Sequence, residues 1–98
     1  MKTQEFDGIV YKVDDRFEGF TIVKKPSSNV DFIGYDENTQ VFIQFKNGGA
    51  YLYKDIQKET VEKALESESI GKFIRAEITG KFPSVKLEKS VLTAQLTF

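Results

Sequence analysis

This sequence contains no cysteine, no histidine and no tryptophan, and only two prolines and one methionine among its 98 residues. Each absence removes a class of chemistry. Without cysteine there is no disulfide and no thiolate nucleophile, and a cytoplasmic home is expected. Without histidine the commonest general base and the commonest transition-metal ligand are missing. The usual zinc centres, and the Ser-His-Asp and Cys-His nucleophile arrangements, therefore cannot be assembled from this chain. Apolar runs stop after a few residues, so no membrane-spanning helix is expected. The opening MKTQEFDGIV lacks the long apolar stretch of a secretory signal. With 14 basic against 15 acidic residues the net charge is −1. That is not the global charge of a protein that grips long nucleic acid through its phosphates.

Aromatic residues are plentiful, with nine Phe and four Tyr. The length fits a single domain, residues 1–98, with one modest core. Charge is unevenly spread. Residues 55–68 are acidic on balance and residues 69–86 basic. This asymmetry either orients an anionic ligand or marks two differently charged solvated faces.

The hydrophobic pattern predicts an α+β fold: an antiparallel β-sheet packed with two short helices. Phe6–Val13 and Phe20–Lys24 read as an N-terminal hairpin joined by a loop through Asp14 and Gly19. Val30–Tyr35, Gln40–Lys46 and Gly49–Lys54 read as a three-stranded meander. Asp36-Glu37-Asn38-Thr39 supplies its first turn, and Asn47-Gly48 fits a two-residue type I′ turn for its second. On that register Phe45 faces Ala50, Phe42 faces Tyr53 and Ile33 faces Phe42. Period-two alternation then puts Phe32, Val41, Ile43 and Leu52 on a core face. Ile33, Tyr35, Phe42, Tyr51 and Tyr53 fall on an aromatic face. Asp55 is placed to cap a helix over Lys58–Ser67 with an apolar stripe of Val61, Ala64 and Leu65. Ser69 is placed to cap a second, with Ile70, Phe73, Ile74 and Ile78 on one side, ending near Gly80. One helix pair covers one sheet face, so the other is left over. The tail from Leu92 to Phe98 alternates as a half-buried strand, expected to pair with the hairpin or else with a second copy of the chain.

Residues 26–82 resemble the KTSC domain, a short module appended to some lysyl-tRNA synthetases and also found as small stand-alone bacterial or phage proteins. The resemblance is carried by Ser27-Ser28-Asn29, Ile33-Gly34-Tyr35-Asp36, Phe45, Asn47-Gly48, the Tyr51-Leu52-Tyr53 triplet, and Ser69, Gly71, Phe73 and Ile78 with Gly80-Lys81-Phe82. It implies strands followed by helices, and RNA binding by association with the synthetase alone. Relatives tend to carry Asn after the aromatic pair of the second helix, where this chain has Ile74-Arg75. Residues 1–25, the hairpin, and 83–98, the tail strand, extend the resembling core.

Two readings of the tyrosines stay open. As a stacking platform, Tyr35, Tyr51 and Tyr53, with Phe42, would receive bases while Lys46, Lys54, Lys72, Arg75 and Lys81 hold phosphates. As core, the rings would pack under the helices with their hydroxyls at the rim. Catalysis, a metal and a cofactor are not expected. Asp14-Asp15 and Asp36-Glu37-Asn38 lack calcium-loop spacing, and Gly48-Gly49 precedes a strand, unlike a phosphate-cradling loop. The expected function is a non-catalytic module binding RNA or a nucleotide through Tyr35, Tyr51, Tyr53, Lys54, Lys72, Arg75 and Lys81. The alternatives are a protein-interaction or self-association module using edge strands, and a homo-oligomer that sequesters a small nucleotide.

Overall fold

Asp7 and Gly8 both have positive φ, 52° and 80°, the backbone of a two-residue type I′ turn. They fold β1 (Lys2–Phe6) back on β2 (Ile9–Val13), with Phe6 opposite Ile9. The N-terminal hairpin therefore forms seven residues into the chain, not across the Asp14–Gly19 loop. That loop instead makes a 3₁₀ turn, Asp15–Phe17. Beyond it β3 (Thr21–Val23) leaves the hairpin and pairs with β4 (Val30–Tyr35). The computed structural model describes residues 2–25, 27–38 and 40–95.

The remaining strands are β5 (Val41–Phe45), β6 (Ala50–Tyr53), β7 (Ser84–Leu87) and β8 (Leu92–Ala94). They form an antiparallel five-stranded sheet, β3-β4-β5-β6-β7, and a three-stranded sheet, β1-β2-β8. The fold is α+β, as the pattern predicted. β8 pairs with the hairpin strand β2. Leu96, Thr97 and Phe98 of the expected tail strand lie outside the described residues. β7 has no counterpart in the sequence reading, because SVKL is too short and polar to announce a strand.

Helix α1 (Lys58–Glu66) and helix α2 (Ile70–Glu77) follow β6. Ser69 caps α2 as expected, accepting from the Lys72 N–H at 3.4 Å. Asp55 does not cap α1: it sits at φ 64°, and Gln57 occupies the N-cap without a side-chain hydrogen bond. Val61, Ala64, Ile70, Ile74 and Ile78 are buried against the sheet. The predicted apolar stripes thus face inward.

The decisive departure is register. Phe45 donates its N–H to Gly49 O at 2.8 Å and accepts from Gly48 N at 2.9 Å. Gly48 alone of the turn residues has positive φ, 94°. This is a three-residue loop with glycine in the left-handed position, not a type I′ turn. Asn47 holds it by accepting from the Gly49 N–H at 2.8 Å. The first loop is also one residue longer than expected, with Tyr35 opposite Val41. Ile33 therefore pairs with Ile43, and Ile43 with Tyr51; Val41 pairs with Tyr53. Each one-residue slip exchanges faces.

The aromatic and aliphatic sets are consequently mixed. Ile33, Tyr35, Val41, Ile43, Tyr51 and Tyr53 share the face under the helices. Phe32, Phe42, Ala50 and Leu52 share the other. A bulge at Asp31, between Val30 and Phe32, sends Val30 to the helix side although its number has the same parity as Phe32.

The face the helix pair leaves over is not bare. The three-stranded sheet and the 3₁₀ turn lie on it, bringing Val13, Phe17, Val91 and Leu92 against Phe32 and Phe42. Phe17, Phe20 and Phe42 meet edge to face or tilted at 5.0–5.8 Å. Phe6, Tyr11 and Phe32 form a second cluster at 4.9–6.1 Å. Complete burial of a phenylalanine such as Phe42 contributes about 3 kcal/mol. The molecule is three layers: small sheet, large sheet, helices.

Candidate functional site

The residues that carried the sequence argument separate by location. Tyr53 is 5% exposed and belongs to the helix-side core. Tyr51 is half-buried beside it, with ring centroids 6.5 Å apart and Phe45 at 6.1 Å. A base cannot lie on the Tyr53 ring, and Tyr51 lines neither the Tyr35 cleft nor the groove between the helices. The sheet-face platform is corrected at Tyr53 and Phe42: Tyr53 packs under the helices, and Phe42, turned over with β5 by the two one-residue loop extensions, packs under the small sheet.

Several other residues of the resemblance also do structural work. Ser27 Oγ accepts from the Asn29 and Val30 N–H groups at 3.3 and 3.1 Å and donates to Asn29 Oδ1 at 3.1 Å. A Cβ on Gly71 would stand 2.4 Å from that same Oδ1. Helix α2 therefore docks against the Ser27–Asn29 turn only because position 71 has no side chain. Gly34 lies beneath the Phe42 ring, and a Cβ there would fall 2.0 Å from Cε2. An aromatic laid across a strand glycine in this way replaces the missing side-chain packing.

The predicted cations do not converge. Lys54, Lys72 and Arg75 are exposed and line neither the cleft at Tyr35 nor the groove between the helices. Lys81 pairs with Glu77 at 3.6 Å. It lines a groove of about 380 Å³ between the helices, with Lys63, Phe73 and Phe82.

Tyr35 is different. It is half-buried and lines a cleft of about 800 Å³ at the end of the large sheet. Val41, Ile56 and Val61 give the cleft an apolar floor. One wall is the β4–β5 loop. Asp36 Oδ1 accepts from the Asn38 and Gln40 N–H groups at 3.0 and 2.9 Å, and Asp36 N donates to Gln40 O at 3.1 Å. This carboxylate therefore braces the loop. A second wall is the start of α1, with Lys58. The third comes from the 3₁₀ turn and β3, with Arg16, Phe20 and Thr21.

Arg16 is aimed by Asp14. Its Nε and Nη2 donate to the Asp14 carboxylate at 3.3 and 3.4 Å, and its backbone N–H does so at 2.9 Å. These hydrogen bonds hold the Asp14 carboxyl below the usual carboxylate range. They raise the Arg16 guanidinium in turn. Arg16 and Lys58 were missed by sequence reasoning. A loop written Asp-Asp-Arg-Phe signals a cap and a turn, and nothing in one dimension places it beside a helix forty residues on.

An apolar floor with a few convergent polar groups is the ordinary form of a small-ligand site. Among the described residues no group of three acidic, His or Cys side chains is arranged to hold a metal ion, and no helix is long and apolar enough to cross a membrane.

Comparison with known proteins agrees with the strand–strand–strand–helix–helix core. No curated protein matches the chain. The crystal structure of a KTSC domain protein from Yersinia pestis aligns with a TM-score of 0.66 and 30% identity, covering 69% of this chain and 97% of that one. The family match itself spans residues 26–82, which runs from the Ser27 turn through β4, β5, β6 and both helices to Phe82. On the combined strength of that match and that structure, the chain belongs to the KTSC domain family.

Proposed function

We propose that the chain is a non-catalytic binding module whose ligand is a nucleotide-sized planar molecule received in the Tyr35 cleft. The observation that carries this reading is the cleft itself: about 800 Å³, floored by apolar side chains and rimmed by Tyr35, Arg16 and Lys58. A ring stacked on Tyr35 gains about 1–3 kcal/mol without any base-specific readout. Extended RNA laid over a sheet face is a weaker reading, because Tyr53 is in the core and the exposed cations are scattered. Catalysis is not part of the proposal, since the Asp36 carboxylate is engaged in bracing its own loop.

Titration of the protein with adenosine monophosphate, followed by tyrosine fluorescence, tests it. Saturable quenching that Tyr35→Ala abolishes supports the reading, while a flat titration with nucleotides of all four bases refutes it.

A second reading, self-association, is favoured by one specific feature. β7 is an edge strand of the large sheet, and its Val85 is 52% exposed. Such an edge offers unpaired backbone groups beside an apolar side chain. Under this reading the mass in solution rises with concentration and Val85→Lys returns it to that of a monomer. A nucleotide-sequestering oligomer would combine this behaviour with binding in the cleft.

A further inference from the structure

The wall of the cleft that carries Arg16 is built by residues outside the KTSC match. Arg16, Phe20 and Thr21 precede residue 26, whereas Tyr35, Ile56 and Lys58 lie within the matched span. The N-terminal flank thus completes a cleft that the family core only begins.

The flank holds its arginine on a fixed base. Asp14 donates its backbone N–H to Val91 O at 2.8 Å, tying the turn to the strand entering β8. Phe17 N donates to Asp14 O at 2.9 Å, and the Phe17 ring is buried. The guanidinium carbon lies 5.7 Å from the centroid of that ring, and the Asp14 carboxylate accepts from two of its nitrogens. A guanidinium positioned this way loses little further freedom on meeting an anion. Lys58 reaches the same cleft from a separate element, the first residue of α1. Asp14 takes part of the Arg16 charge behind the cleft lining, and the carboxylates that do line the cleft, Asp36 and Glu37, belong to the β4–β5 loop wall. Among the charged residues that line it, the cleft is therefore polarised, with Arg16 and Lys58 on the 3₁₀ turn and helix walls and Asp36 and Glu37 on the loop wall.

We infer that this chain's guest is a planar ring bearing an anionic group of the phosphate type, that the anion sits between Arg16 and Lys58, and that Arg16 sets the preference for the phosphorylated over the unphosphorylated form. The inference rests on the cleft being the ligand site. The ring's N–H donors then face the loop wall, where Glu37 is the acceptor, and the phosphate points away from it. A guest inverted in the cleft would bring its anion against two carboxylates.

Calorimetric titration of the intact chain with adenosine and with adenosine monophosphate reads this directly. Adenosine monophosphate binds about tenfold tighter than adenosine, as a rim contact of charge-assisted hydrogen bonds allows. In Arg16→Gln the ratio falls towards one. In Arg16→Lys part of it survives, because the charge remains and the fork is lost. Equal binding of the two probes by the parent chain, or a ratio unmoved in Arg16→Gln, overturns the assignment of Arg16. If Tyr35→Ala still abolishes binding of both, the cleft reading survives that result. Binding of neither probe sinks both. Thermal melting of each variant, expected to stay within a few degrees of the parent because the Arg16 side chain is 62% exposed, separates a lost contact from a lost fold.

Discussion

The side-chain amide of Gln44 bonds both backbone groups of Leu92: Nε2 donates to Leu92 O and Oε1 accepts from Leu92 N, each at 2.9 Å. Gln44 is on the central strand of the large sheet and Leu92 is on an edge of the small one. The amide copies what a neighbouring strand would offer, and it joins the two layers inside a buried region where Gln44 is 4% exposed. Replacing Gln44 by Leu leaves the Leu92 N–H and C=O buried and unpaired, at roughly 1–3 kcal/mol each. Urea denaturation of Gln44→Leu is expected to show a total loss of about 2–6 kcal/mol. A change below about 0.5 kcal/mol would mean that water reaches this edge.

Gly34 and Phe42 predict a coupled pair. Gly34→Ala forces the Phe42 ring off its seat, and overpacking of this kind costs about 1–3 kcal/mol. Phe42→Leu alone empties part of the aromatic cluster. The double variant is expected to be more stable than the two losses added together, because the smaller side chain makes room for the new methyl. Strict additivity in denaturation midpoints would contradict the contact.

Tyr53→Ala tests the correction of the stacking platform. A core aromatic cut to alanine costs about 3–5 kcal/mol, which unfolds much of a small domain at moderate temperature. A ligand platform would instead leave the melting temperature nearly unchanged and lose only binding. Thermal denaturation distinguishes the two without any ligand.

The Asp14–Arg16 pair gives a pH dependence. Its hydrogen bonds lower the Asp14 carboxyl in the folded state, so the pair's contribution to stability is complete above the unfolded value of about 3.9. It is lost as pH falls through the lower folded value. Asp14→Asn is expected to remove that part of the acid sensitivity while changing little of the remainder, as measured by urea midpoints from neutral pH downwards. An unaltered acid profile would mean the carboxylate is free in solution.

Much of this is legible in the sequence. Val61, Ala64, Ile70, Ile74 and Ile78 sit at helical spacing and are the helix residues that meet the sheet. The Ser69 cap and the pairing of the tail with the hairpin also follow from local chemistry. What sequence could not deliver was register. Asn47-Gly48 is compatible with a two-residue or a three-residue loop, because Gly48 supplies the positive φ that either one needs. The two one-residue extensions turn β5 over, so that Val41 and Ile43 join the tyrosine face and Phe42 leaves it. Asp7-Gly8 announced a turn that the apolar run around it obscured. The cleft was readable only at Tyr35 and Asp36. Arg16 and Lys58 arrive there through the packing of the turn and α1 around the end of the sheet, which no local pattern encodes.

The central claim is that the Tyr35 cleft is the ligand site. Backbone amide shifts recorded during titration of the isotopically labelled protein with adenosine monophosphate test it most directly. The account predicts saturable shifts confined to the 3₁₀ turn and β3 around Arg16–Thr21, the loop from Tyr35 to Val41, and the start of α1 around Ile56–Val61. Shifts centred on Lys72, Arg75 and Lys81, or no shifts at millimolar ligand, would contradict it.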